Sequence, residues 1–248
     1  MRILFSVVLL LLSYTAYSQS YAFGIKGGAT TGFQRWDNSF SSRDPLYRYH
    51  AIAFIETAEE DSPFALFAQA GYHIKGSAIR TFPTKVNTPT GFQDIPGFTI
   101  PFEFRNISLT LGAKQEIGAN IGSKLYYLLG VRGDYTLNTN LEEASSNNGG
   151  LFLGILPFDG FVTKFNYGVT LGGGIQFDFS DYVATFLELT VNPDFSKQYR
   201  QPAIPNVRNP NPNSSNSLIT IPERQISNTT IELTLGFRFL HKIVYLDE

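Results

Sequence analysis

The chain has 248 residues, with 19 Lys and Arg against 21 Asp and Glu, a formal charge of −2 and no cysteine. This balance is no nucleic-acid footprint, and without Cys an exported chain owes none of its stability to disulfides. Charged residues make up 16% and aromatic ones 15%. A water-soluble domain carries about 25% charged residues, so the composition points to strands that meet lipid.

The N-terminus opens on Met1 and Arg2, runs apolar from Ile3 to Leu12, and passes the small residues Ala16 and Ser18 before Gln19. This reads as a cleaved secretory signal peptide over residues 1–18. Its apolar run falls short of the ~20 residues a spanning helix needs. Residues 19–248 are then a single barrel domain, exported to the outer membrane of a Gram-negative cell, with a short periplasmic tail over 241–248.

From Tyr21 onward the chain alternates large apolar residues with polar or small ones, the period of a strand whose two faces meet different surroundings. The pattern recurs over Tyr21–Phe33, Tyr47–Thr57, Phe64–Ile79, Phe102–Ile117, Lys124–Leu137, Phe165–Phe179, Tyr182–Asn192 and Ile231–Phe239. In the last of these, Ile231, Leu233, Leu235, Phe237 and Phe239 share one face, and Glu232, Thr234, Gly236 and Arg238 share the other. Each segment is at least about the 9–11 residues of a tilted membrane strand. The connections alternate: 59–63, 118–123 and 180–181 are short, whereas 37–46, 82–101, 139–164 and 196–228 are long. Aromatics gather at both strand ends, Phe23, Phe64, Tyr127, Phe177, Tyr182 and Phe237 near the short turns and Tyr47, Tyr49, Phe104, Tyr135, Phe165 and Tyr167 near the long loops. These three signals together predict an all-β fold, an eight-stranded antiparallel up-and-down transmembrane β-barrel with short periplasmic turns and long extracellular loops.

The inward face carries Lys26, Arg48, Glu56, Lys75, Lys114, Glu116, Arg132, Asp134, Asp178, Glu188, Glu232 and Arg238. An eight-stranded barrel is just wide enough for side chains to fill it, and buried charges must be paired. The simplest reading is a lumen closed by ion pairs. A small-solute pore is the alternative, requiring more strands or a skewed lumen charge.

His50 and His73 fall on inward faces of neighbouring strands, where they could hold a metal or move protons, although polar filling of the lumen needs less. Asp37, Ser39, Asp44 and His50 could be cast as a rim hydrolase, but no spacing supports it. The expectation is therefore no enzyme, no cofactor and no metal. The run Gly172–Gly174 lacks the Lys-Ser/Thr of a phosphate loop. The long segment 196–228 holds Pro202, Pro205, Pro210, Pro212 and Pro222 and is expected to stay out of any sheet. Another loop is strongly apolar, with Leu151, Phe152, Leu153, Ile155, Leu156, Phe158 and Phe161, and is a candidate partner contact.

The start Gly24-Ile25-Lys26-Gly27-Gly28 directly after the leader, the length and the strand–loop rhythm resemble the PorT-like outer-membrane β-barrel proteins of the Bacteroidota. The resemblance implies an eight-stranded outer-membrane barrel with no catalytic residues to carry over. Some members are accessory parts of secretion or membrane-assembly machines. The expected partners are thus outer-membrane lipid and other outer-membrane or periplasmic proteins, and the expected role is structural or interaction-based.

Overall fold

A computed structural model describes residues 20–37, 43–58, 62–80, 82–88, 91–120, 123–143, 159–208 and 217–242. The leader, Leu151, Phe152, Leu153, Ile155, Leu156, Phe158 and the end of the tail lie outside them. Among the described residues no helix is long and apolar enough to cross a membrane.

The strands are β1 (Tyr21–Trp36), β2 (Asp44–Thr57), β3 (Phe64–Arg80), β4 (Thr84–Thr88), β5 (Gly91–Ile95), β6 (Thr99–Asn120), β7 (Ser123–Thr139), β8 (Phe165–Asp178), β9 (Val183–Pro193), β10 (Tyr199–Gln201), β11 (Ile204–Arg208), β12 (Leu218–Ile221) and β13 (Arg224–His241). β1, β2, β3, β6, β7, β8, β9 and β13 pair in that order, and β13 returns to pair with β1. The closing ladder runs unbroken from Tyr21 opposite His241 to Trp36 opposite Ile226. All eight ladders of the ring are antiparallel. The eight-stranded ring therefore has no free edge, which satisfies the backbone of a chain crossing lipid.

The alternation sets the two surfaces. Ile25, Leu109, Leu111, Leu129, Val131, Leu189, Leu233 and Leu235 are exposed on the outside, with Ile25 and Val131 64% and 65% accessible. Alternating with them, Lys26, Thr110, Arg132, Glu188, Glu232 and Thr234 are buried inside. An apolar outside around a filled inside is the surface of a transmembrane barrel. Exposed aromatics flank it, Phe23, Phe64, Tyr127, Phe177, Tyr182 and Phe237 toward the short turns, and Tyr47, Tyr49, Tyr135, Phe165 and Tyr167 toward the long loops.

The structure corrects the sequence reading of the fold in three places, and that of Arg48 in the lumen. Phe104 is not in the outer belt: it is fully buried and packs with Phe102 inside, as its parity with inward Asn106 and Ser108 requires. The connection 82–101 holds the β4–β5 hairpin, and β6 starts at Thr99. The proline-rich segment does pair. β10 lies against β13, and β11 pairs with β12. Pro202 and Pro222 fall between strands, and Pro205 sits at a register shift beside Asn206, whose φ is +60°. These three prolines thus avoid positions where a missing N–H would break a ladder bond.

Candidate functional site

The lumen is the only place where the fold gathers charged and hydrogen-bonding side chains among the described residues, and it is layered. At the short-turn rim Lys124 reaches Glu116 at 3.5 Å and Asp178 at 3.9 Å, all three partly exposed. The next level inward centres on Glu56. Its carboxylate accepts from Arg238 Nε at 2.6 Å and lies 3.4 Å from Lys114 Nζ. Lys114 also sits 4.3 Å above the Tyr126 ring and 3.3 Å from Gln176 Oε1.

Above it an aromatic level of Phe54, Phe67, Tyr126, Leu128 and Phe186 crosses the lumen. It encloses Lys26, which donates to Glu188 Oε1 at 2.6 Å, while the Tyr126 hydroxyl donates to Oε2 at 3.1 Å. Lys26 Nζ lies 5.8 and 5.9 Å from the Phe54 and Phe186 ring centres, within cation–π range. Gly236 makes room for this level: a Cβ there would stand 2.3 Å from Phe186 Cζ and 2.8 Å from Lys26 Cβ. Gly236→Val is therefore expected to lower stability by about 1–3 kcal/mol through overpacking. The check is the urea midpoint of the detergent-folded protein, and an unchanged midpoint contradicts it.

The histidines form the third level. His50 and His73 are register partners whose rings stack at 5.6 Å with 7° between planes. His73 Nδ1 is 2.8 Å from Glu232 Oε1, and His50 has Thr30 Oγ1 and Thr234 Oγ1 at 2.9 Å from its two nitrogens. Both ring nitrogens of His50 and Oε1 of Glu232 are thus engaged by strand side chains, an arrangement that fixes the rings. Among the described residues no group of three or more His, Cys, Asp or Glu could hold a metal ion.

The fourth level is the most buried. Lys75 donates to Asp134 Oδ2 at 2.8 Å and to Asp194 Oδ1 at 2.8 Å; Arg132 donates to Asp134 Oδ2 at 3.1 Å and to Asp194 Oδ1 at 2.6 Å. Two cations and two carboxylates thus alternate, each touching both opposites. Amides follow. Gln34 donates to Asn228, and Gln198 donates to Asn106 and to Thr136. An apolar plug ends the column toward the long loops, built of Trp36, Ile100, Phe102, Phe104, Leu141, Tyr199 and Ile226, with Phe161 packed against it.

Of the twelve charged residues read from the sequence, Lys26, Glu56, Lys75, Lys114, Arg132, Asp134, Glu188, Glu232 and Arg238 lie in these levels, and Glu116 and Asp178 lie at the rim. Arg48 does not join them. β2 shifts register against β3 between Pro45 and His50, and there Arg48 Nε donates to Glu103 Oε1 at 2.7 Å. Glu103 alternates with inward Phe102 and Phe104, and Arg105 Nη2 lies 3.4 Å from the same carboxyl group. Asp194, Lys124, Glu103 and both aromatic levels escaped the sequence reading. Asp194 carries the same even parity as Glu188, Thr190 and Asn192, and that signal could have found it.

No protein-family model matches the chain, and no curated protein matches it. Solved structures do. Neisserial surface protein A is 8% identical with a TM-score of 0.43, covering 88% of this chain and 97% of its own. Ail, the attachment invasion locus protein of Yersinia pestis, solved with the heparin analogue sucrose octasulfate, is 12% identical with a TM-score of 0.38, covering 90% and 100%. Outer membrane protein W of Escherichia coli is 11% identical with a TM-score of 0.40, covering 90% and 100%. The fold assignment rests on the strand register above.

Proposed function

We propose that this protein is an outer-membrane barrel that works through its surfaces rather than through its lumen, as a structural or interaction subunit. The observation that carries this reading is the stack of filled levels among the described residues, from the Phe54–Tyr126–Phe186 level to the Trp36–Phe102–Tyr199 plug. These levels are occupied by paired ions, hydrogen-bonded amides or packed rings, so a solute has no path that avoids breaking one of them. The expected export leader over residues 1–18 and the apolar belt support the outer membrane as its location. The accessory role in a secretion or assembly complex follows the PorT-like resemblance, and no residue of the lumen is cast as catalytic.

The lumen prediction is tested in planar bilayers. The purified barrel is expected to insert without steady single-channel current, and a stable conducting level would return the pore reading to the front. The interaction role is tested separately, by extracting the protein from native outer membranes in mild detergent. It is expected to migrate with stoichiometric partner protein, and consistent migration as a lone barrel removes the accessory reading.

A further inference from the structure

Arg43 lies immediately before β2, at the long-loop end of the barrel and outside the membrane-spanning strands. Its guanidinium stacks 3.5 Å from the Trp36 ring centre and 4.8 Å from that of Phe102. Nε, Nη1 and Nη2 are all buried, and none has a hydrogen-bond partner among the described residues. Stacking occupies the faces of a guanidinium, while its donors project from the edge in the ring plane. The rings therefore compensate part of the charge and leave the whole donor fork unused.

The charges nearby do not complete the site. Arg224 is 5.9 Å from the same indole, so two guanidinium groups share Trp36. Burial, and then the charge of Arg224, pull the Arg43 pKa down to about 10, which still leaves it protonated at neutral pH. The adjacent acids are engaged elsewhere. Asp37 is paired with Arg35 and Lys197, and Asp44 accepts from the Arg80 backbone N–H. A buried cation with a free planar fork and a second cation beside it is the inverse of the levels below, where every charge meets an opposite one. A planar fork matches the paired oxygens of a carboxylate or phosphate.

We propose that Arg43, held on Trp36 and Phe102 and reinforced by the charge of Arg224, is a binding site for an oxyanion at the extracellular end of the barrel. The group presented is a phosphate or carboxylate, supplied by a soluble anion or by a lipid headgroup. This goes beyond the reading of a closed barrel and does not depend on it.

Trp36 is the one tryptophan of the chain, so its emission reports on this site alone. Inorganic phosphate titrated into the detergent-folded protein, against chloride at equal ionic strength, is the soluble arm. Nanodiscs of phosphatidylglycerol compared with phosphatidylcholine are the lipid arm. A saturable phosphate-specific change, or a difference between the two lipids, is expected, and the responding arm names the source. Arg43→Gln is expected to weaken the response about tenfold or more, the loss of a charge-assisted bidentate contact. Arg43→Lys keeps the charge without the fork; it is expected to weaken binding too, and it carries the test if the Gln variant does not fold. No response in either arm, or an undiminished response in the folded variants, overturns the proposal.

Discussion

Replacing Asp194 by Ala is expected to cost the barrel about 3–5 kcal/mol, the range for breaking a buried ion pair by removing one partner. Asp194 is contacted by Lys75, Arg132 and Asn228 together. Without its carboxylate, two buried cations must share Asp134, and the cluster passes from neutral to a net positive charge away from solvent. Asp194→Asn keeps an oxygen for one donor and is expected to fall between. Adding Lys75→Met to Asp194→Ala restores a neutral Arg132–Asp134 pair, so the double variant is expected to recover at least half the loss. The measurement is the urea midpoint, read from the heat-resistant folded band on a gel. A single variant as stable as the wild type, or a double variant weaker than the single, contradicts the assignment. Asp94→Ala, which removes the exposed Lys85–Asp94 pair at 3.8 Å, serves as the control and is expected to leave the midpoint unchanged.

Asp194 also shows where the sequence could and could not be read. Strand alternation is a local signal, and it carries well wherever a strand stays in register. Hence the eight barrel strands, the closing partnership of β1 with β13 and the inward Glu232 and Arg238 were all legible from residue parity. It fails where parity breaks. Arg48 sits beside the register shift of β2 and pairs with Glu103 instead of joining the interior, and nothing in the residue order marks that shift. A second difficulty is that parity assigns a face and not a partner. Lys26 and Glu188 are far apart in sequence and meet only because the barrel is narrow. Composition misled in the remaining cases. Five prolines argued for an unpaired loop, yet among the described residues Pro202 and Pro222 fall between strands and Pro205 sits at the register shift of β11. The reading of a lumen closed by ion pairs left the inward parity of Phe102, Tyr126 and Phe186 unused and put Phe104 in the outer belt, so both aromatic levels were missed.

These two aromatic levels make the second large prediction unequal in its two readouts. Phe102 is fully buried and packs edge-on against Trp36 at 5.3 Å, with the rings at 69°. Phe102→Ala removes a ring from the centre of the plug, and the neighbours Trp36, Tyr199 and Ile226 hang on three separate strands whose ladders hold them apart. The space cannot collapse freely, so the loss is expected to be about 3–5 kcal/mol. Trp36 loses a packing face, and its emission is expected to move to longer wavelength as water gains access. Conductance, by contrast, is expected to stay at zero. Below the plug the Lys75–Asp134–Arg132–Asp194 cluster and the Phe54–Tyr126–Phe186 level still cross the lumen, each joined by contacts that Phe102 does not make. A barrel that conducts after this single change would mean that the plug alone holds the lumen shut. A barrel that loses stability and shifts its fluorescence while remaining silent would mean that closure is distributed along the whole column, which is what the stacked levels require.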